Sequence, residues 1–556
     1  MATDGVNGAN GHADGSLAGD DIPVYDALLV GAGFGSYTTL MRLRKQGLKC
    51  RIWEKGTAGG GIWYWNSYPG ARVDSDTPIY QLWDKELYDD FTFRERYPGW
   101  KELQRYFKYL DQKLDVAKDT EFNKNVESAE FDEQRNQWLV ECTDGSQAYC
   151  RWFIPCIGFA AKRYTPPIKG VSDFQGDIFH TAVWPQWGVT LKNKRVAVVG
   201  TGASGIQTIQ ETGPLAKHLT VYMRTPNYCL PMNQRLLDYE EEQRKKKDGV
   251  YDKEFEKCGK TFSGFTYDFE QKNTFDATPE EREKFYHKLM VEDGGFKFWL
   301  GAYKDMLFDQ KANDEAYKFW RKTVQARMKN KEKAEMLAPE NPPHPWGTKR
   351  PSLEQCFYEV VDKDNVDIID VNANPIEEIT EKGIRTSKGH VDVDMIIFAT
   401  GFDAVTGSLS MLNIKGTDGK TIKEHWSNGT RTSMGMSMAK FPNMFFLYGP
   451  QAPTAFSNGP SCVQYQAMWL DKAIEKLEAD GVKRFEPKEE AVDEWCQRCT
   501  DKWEATLFPL AKSWYSGANI PGKKVEALNW AGGMVDYRKA LDDSLENNYQ
   551  QWIAVK

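Results

Sequence analysis

Two glycine-rich strings constrain this chain more than any other feature: GAGFGS at 31–36 and GTGASG at 200–205. Each directly follows a short apolar run, DALLV at 26–30 and RVAVV at 195–199, and each opens a stretch that reads as a helix. A second apolar run then follows each helix, KCRIWE at 49–54 and LTVYM at 219–223. Strand, glycine turn, helix and strand make a βαβ unit in which the unpaired amides of the helix N-terminus, and its dipole, face an anion such as a pyrophosphate. A lone glycine string is weak evidence; the same string between two strands, with a charged residue closing the second, is strong. Gly31, Gly33, Gly35 and Ser36 form the first candidate phosphate loop. Ser36 stands where the pattern has its third glycine, a departure expected to loosen helix–strand packing slightly. Gly200, Thr201, Gly202, Ala203, Ser204 and Gly205 form the second loop, which fits G-x-G-x-x-G in full.

The two units end on opposite charges. Glu54 lies 23 residues beyond Gly31, where a carboxylate binds a ribose hydroxyl, whereas Arg224 and Thr225 close the second unit, Arg224 lying 24 residues beyond Gly200. A carboxylate suits a free ribose 2′-hydroxyl and a guanidinium suits a 2′-phosphate. The contrast implies FAD at the first unit and NADPH at the second.

At 556 residues the chain has room for three or four domains, and 40 % hydrophobic with 13 % aromatic residues allow a large core. A net charge of −8 argues against a nucleic-acid binder held by phosphates. No apolar run approaches the length of a membrane span. The first residues, MATDGVNGANGHADGSLAGDD, have neither a basic nor an apolar signal region and read as a disordered tail. Ten scattered cysteines look like a reduced, intracellular set, which makes the cytoplasm the expected location.

Two further strings carry a family resemblance. GGIWYWNSYPGARVD at 60–74 fits [AG]-G-x-W-x-x-x-x-[FY]-P-[GM]-x-x-x-D at every fixed position. FQGDIFHTAVW at 174–184 fits F-x-G-x-x-x-H-x-x-x-W through Phe174, Gly176, His180 and Trp184. With two glycine loops in this order, the chain beyond about residue 25 resembles the type I Baeyer–Villiger monooxygenases. The resemblance implies an FAD- and NADPH-dependent enzyme that converts ketones to esters or lactones with O2 through a C4a-peroxyflavin. It places Trp63, Asp74, Tyr80 and Val126 with the flavin and Lys349 with the NADPH phosphate. Arg350, in the K-R-P string, becomes the catalytic cation and a cofactor contact, with Asp74 as its catalytic partner. Trp514 belongs to a segment, 512–524, similar to the mobile loop over the nicotinamide. His180 invites an acid–base reading, but the resemblance makes its string a linker that couples the domains.

The expected fold is therefore α/β, two Rossmann-like dinucleotide-binding domains with an inserted helical subdomain. The tail occupies 1–24; the FAD-binding domain 25–158 and again 391–556; the NADPH-binding domain 159–227 and 331–390; the helical insertion 228–330. Within the first domain, 121–132 and 138–142 read as antiparallel strands with a hairpin turn at Asp144-Gly145. In the insertion, Thr278-Pro279-Glu280-Glu281 reads as a capping box opening a helix to about Val291, and Asn313-Asp314 is expected to open another over 315–330. The competing readings are an N- or S-oxygenating flavin monooxygenase, a disulfide reductase using Cys496 and Cys499, and a non-catalytic NADPH-binding sensor. No metal site, nucleic-acid partner or membrane partner is expected, and the assembly is read as a monomer.

Overall fold

The computed structural model describes residues 22–547 and 549–556. Of the expected tail, residues 1–21 lie outside the described residues, and Val24 already begins the first strand. That strand, Val24–Val30, pairs in parallel with Cys50–Glu54 on one side and Gln147–Pro155 on the other. They lie within a seven-stranded sheet ordered Asn413–Lys415, Val126–Asp132, Gln137–Cys142, Gln147–Pro155, Val24–Val30, Cys50–Glu54, Thr120–Phe122. The hairpin turn at Asp144-Gly145 falls between Gln137–Cys142 and Gln147–Pro155, which pair antiparallel. The expected run 121–132 splits, however: Thr120–Phe122 joins the opposite edge of the sheet from Val126–Asp132. Asn123, in the left-handed region with φ 59°, lies between the two strands, so alternation alone could not show the break.

A second, wholly parallel sheet of five strands runs Val366–Asp370, His218–Met223, Arg195–Val199, Met395–Phe398, Asp177–His180. Its three inner strands are near-continuous buried runs, as expected of parallel strands covered on both faces. The position of Met395–Phe398 corrects an expected boundary. The sequence places the segment from 391 onward in the first domain, yet this strand lies inside the second sheet, paired with Arg195–Val199 on one side and the edge strand Asp177–His180 on the other. The chain leaves the second sheet only after Phe398.

The helix Phe34–Lys45 packs against Gly459–Ala479, whose N-cap Asn458 accepts the Ser461 amide at 2.7 Å. Between residues 228 and 340 the chain is helical, with Tyr239–Lys247, Val250–Cys258, Pro279–His287, Gln310–Ala326 and Lys331–Leu337. The capping box forms as expected: Thr278 Oγ1 accepts the Glu281 amide (3.2 Å) and Glu281 Oε2 accepts the Thr278 amide (2.8 Å). The Asn313-Asp314 expectation fails. Asp309 caps Gln310–Ala326 instead, and Asn313 is buried inside that helix, bonding the Met306 and Trp346 carbonyls and the Trp346 amide. A buried amide that satisfies both backbone groups of Trp346, 33 residues away, is a tertiary fixture that local capping rules do not see.

Candidate active site

A cavity of about 960 Å³ lies between the two sheets, and both glycine loops open onto it. Gly31 adopts φ +94°, and a Cβ there would sit 3.0 Å from the Cys156 carbonyl oxygen. Gly200 adopts φ +110°, with a Cβ position 2.5 Å from the Ala399 carbonyl oxygen. A Cβ on Gly202 would meet nothing within 4 Å, so the backbone there is bare towards the cavity. These are the conditions for helix-end amides to approach an anion closely.

All but two of the site residues expected from the sequence line this cavity. The exceptions are Ser36 and Gly205, the third positions of the two loops. Ser36 is buried and its hydroxyl donates to the Gly31 carbonyl; a Cβ on Gly205 would collide with the Gly200 carbonyl oxygen. Both residues sit behind their loops, away from the cavity wall. The Ser36 hydroxyl closes its loop by a hydrogen bond that a glycine could not make.

Glu54 is buried; its Oε2 accepts the Ala32 amide at 2.7 Å and its Oε1 the Gly56 amide at 2.6 Å. Burial raises its pKa, and the two amides hold the rise back. Across the cavity, Arg224 is exposed and Lys349 half-buried, and neither has a carboxylate partner among the described residues. Burial, together with the nearby Arg224 charge, pushes Lys349 down to about 8. Two cations facing one space without a counter-ion make a receptor for a strongly anionic group.

The aromatic string 60–74 spans both domains. Trp63 Nε1 donates to the Tyr80 hydroxyl (3.1 Å), and the rings meet edge to face. Tyr68 donates to Gln207 Oε1 (2.7 Å) and Gln207 Nε2 donates to the Arg72 carbonyl (3.0 Å), tying the string to the helix Ala203–Thr212 of the second unit. At its end, Asp74 receives Arg350 in a two-point ion pair, Nε to Oδ2 at 2.7 Å and Nη2 to Oδ1 at 2.9 Å. Arg350 Nη1 donates to the Ala455 carbonyl (2.9 Å), and the guanidinium lies over the rings of Phe296 (4.8 Å) and Trp299 (5.7 Å). Burial opposes its charge, but the facing Asp74 carboxylate outweighs burial and raises the Arg350 pKa. The result is a permanently charged, geometrically fixed cation.

His180 does not line the cavity. Its Nδ1 accepts the Ala182 amide at 3.0 Å, which leaves Nε2 to donate to the Tyr164 carbonyl at 3.1 Å. Burial lowers its pKa, and the neutral ring is fully satisfied between the domains. Cys496 and Cys499 do not line the cavity either. Cys499 is buried, and burial raises its thiol pKa well above the ordinary value, so it is no poised thiolate.

Some lining residues carry no signal in the sequence. Tyr448 holds φ +58°, and its hydroxyl donates to the Thr454 carbonyl at 2.9 Å. His344, driven down to about 4 by burial and by Lys349, packs against Tyr228 with the rings tilted and their centroids 4.5 Å apart. Phe159 stacks on Trp514 with centroids 5.4 Å apart. Of these, His344 alone has a local cue, its place in the proline-rich string that delivers Lys349 and Arg350.

The chain matches the model of the flavin-binding monooxygenase-like family over residues 26–236. It is 46 % identical over 524 residues to a cyclopentanone 1,2-monooxygenase of Comamonas sp. (strain NCIMB 9872), covering 94 % of this chain and 95 % of that protein. It is 35 % identical over 529 residues to a cyclohexanone 1,2-monooxygenase of Acinetobacter sp, covering 95 % of this chain and 96 % of that one. Among solved structures, cyclohexanone monooxygenase from Rhodococcus sp. Phi1 bound to NADP+ superimposes with a TM-score of 0.92 at 33 % identity, covering 96 % of this chain and all of that one.

Proposed function

The chain belongs to the flavin-binding monooxygenase-like family, on its Baeyer–Villiger branch, and on that premise we propose how its own residues serve the conversion of a ketone to an ester or lactone. The observation that carries the reading is the Arg350–Asp74 pair, set in one cavity with two glycine loops of opposite end-of-strand charge. The cavity fits two dinucleotides. The bare backbone at Gly31–Gly33, the Glu54 carboxylate and the walls Trp63, Tyr80 and Val126 suit FAD; Gly200–Ser204 with Arg224, Thr225 and Lys349 suit NADPH. When bound, FAD would supply the activation of O2 and NADPH the reducing equivalents.

The rest is done by the chain. Attack on a ketone places negative charge on its carbonyl oxygen, and a fixed cation in a water-poor site stabilises that charge without reorganising. Asp74 fixes Arg350 through Nε and Nη2, while the Ala455 carbonyl takes Nη1. One Nη2 hydrogen is left without a partner among the described residues, the one available to an oxyanion. Trp63 and Tyr80 exclude water on one side and Trp514 with Phe159 on the other. The similarity to the Comamonas enzyme supports small cyclic ketones as the substrate class, with cyclopentanone the first to test. The scattered free cysteines support a cytoplasmic location.

The test is product analysis of purified, FAD-loaded protein with NADPH and a panel of cyclic and acyclic ketones. Lactone or ester should form with wild type. Arg350→Ala should still bind FAD and oxidise NADPH, but release hydrogen peroxide in place of ester. Substantial ester from Arg350→Ala would remove that residue from the mechanism; no ester from any ketone with wild type would end the reading.

A further inference from the structure

Among the described residues, two stretches of backbone connect the two sheets: one after Gln147–Pro155 and one after Met395–Phe398. They run side by side as a ribbon. Arg163 pairs antiparallel with Phe402, the Tyr164 amide donates to the Gly401 carbonyl (2.9 Å), Asp403 N to Lys162 O (2.9 Å) and Val405 N to Phe159 O (2.8 Å). Any rotation of one sheet against the other must bend this ribbon, because the covalent path between them runs through it in both directions.

The segment 512–524 lies against it. Its regular structure is a single short turn, Trp514–Ser516, so its placement depends on what it touches. Trp514 stacks on Phe159 of the first crossing, and Asn519 Nδ2 donates to the Phe402 carbonyl (2.9 Å) of the second. Lys523 Nζ donates to Asp403 Oδ1 (2.6 Å) and to the Ala404 carbonyl (3.2 Å). The other oxygen of Asp403 takes Lys162 Nζ at 3.0 Å. One carboxylate thus joins both crossings and the segment.

The two cations are not equal. The Asp403 and Lys523 side chains are 15 % and 18 % exposed, whereas Lys162 is 45 % exposed. A shielded pair is strongly disrupted when one member is removed; an exposed one contributes little. Space for the carboxylate is also reserved, since a Cβ on Gly407 would stand 2.6 Å from Asp403 Cγ.

We propose that Asp403 is a positioning residue: through Lys523 it clamps segment 512–524 to the interdomain ribbon, so that Trp514 is presented to the cavity only while the two sheets hold this orientation. The proposal rests on the functional reading in which Trp514 faces the cofactors. It gives the ribbon a catalytic consequence that neither glycine loop provides.

The test uses full-length, FAD-loaded enzyme, with amide hydrogen exchange of 512–524 and the ester formed per NADPH consumed as its two readouts. Asp403→Asn and Lys523→Met should each speed exchange of this segment by about 10-fold, as expected when a local opening loses its main restraint. Each should lower ester per NADPH by a similar factor, with FAD content unchanged. Lys162→Met should change neither readout appreciably. The double variant Asp403→Asn/Lys523→Met should be no worse than the more damaged single, the signature of one shared contact. Unchanged exchange in Lys523→Met, additive losses in the double variant, or equal damage from Lys162→Met would each overturn the clamp. If Asp403→Asn does not fold, Lys523→Met alone decides. Failure of wild type to make any ester would overturn the function reading, while the exchange arm still decides the clamp.

Discussion

The two glycine-loop units share a plan and solve it differently. In the first, the third loop position is Ser36, whose hydroxyl satisfies the Gly31 carbonyl; in the second it is Gly205, with the Gly200 carbonyl oxygen in the place a side chain would need. At the strand end, Glu54 is buried and bonded to two amides of its own unit, while Arg224 is exposed and has no carboxylate partner among the described residues. The first unit is internally satisfied and suits a cofactor that stays bound. The second keeps Arg224 and Lys349 uncompensated, an arrangement that favours an anionic ligand which must come and go. The difference lies in where each unit's polar groups are already committed.

Exchanging the loop residues is the strongest way to break this comparison. Gly205→Ser should destabilise the protein by about 3 kcal/mol, because the introduced atoms have no room and the Gly200 carbonyl is backbone. Thermal unfolding of the FAD-loaded protein would show it; an unshifted transition would mean that the two loops are interchangeable. Removing the free cation comes next. Lys349→Ala should lose about 1.5–3 kcal/mol of binding to the 2′-phosphate, raising the Michaelis constant for NADPH and leaving that for NADH nearly unchanged. Equal loss with both coenzymes would show that Lys349 does not read the phosphate.

A pH series sharpens the same point without mutation. Lys349, lowered to about 8, is charged below that pH and neutral above it, and its proposed role is to hold the phosphate as a cation. The Michaelis constant for NADPH should rise as pH climbs through 8, while that for NADH stays flat. In Arg224→Ala the rise should move to higher pH, since one of the two causes of the lowered value is gone. The smallest effect is expected in the first unit: Ser36→Ala removes one buried hydrogen bond and should cost about 1 kcal/mol, read as a modest fall in melting temperature with FAD retained.

What the sequence determined by itself is local. Glycines that must take positive φ, apolar runs bounded by them, and a charge at the end of a second strand all express backbone sterics and hydrophobic pattern over some 25 residues or fewer. Hence both βαβ units, the capping box at Thr278 and the opposite charges of Glu54 and Arg224 are legible in the chain alone. Lys349, Arg350, Asp74 and Trp514 are legible too, but only through resemblance, because nothing near them in the chain reports their role. Tertiary structure decided the rest. Arg350 meets Asp74 across 276 residues, Met395–Phe398 enters the interior of the second sheet, Asn313 is buried against the Trp346 backbone, and Asp403 gathers Lys162 and Lys523. Each is a contact between segments brought together by burial of apolar faces, and side-chain pairing of that kind leaves no period or spacing in the chain.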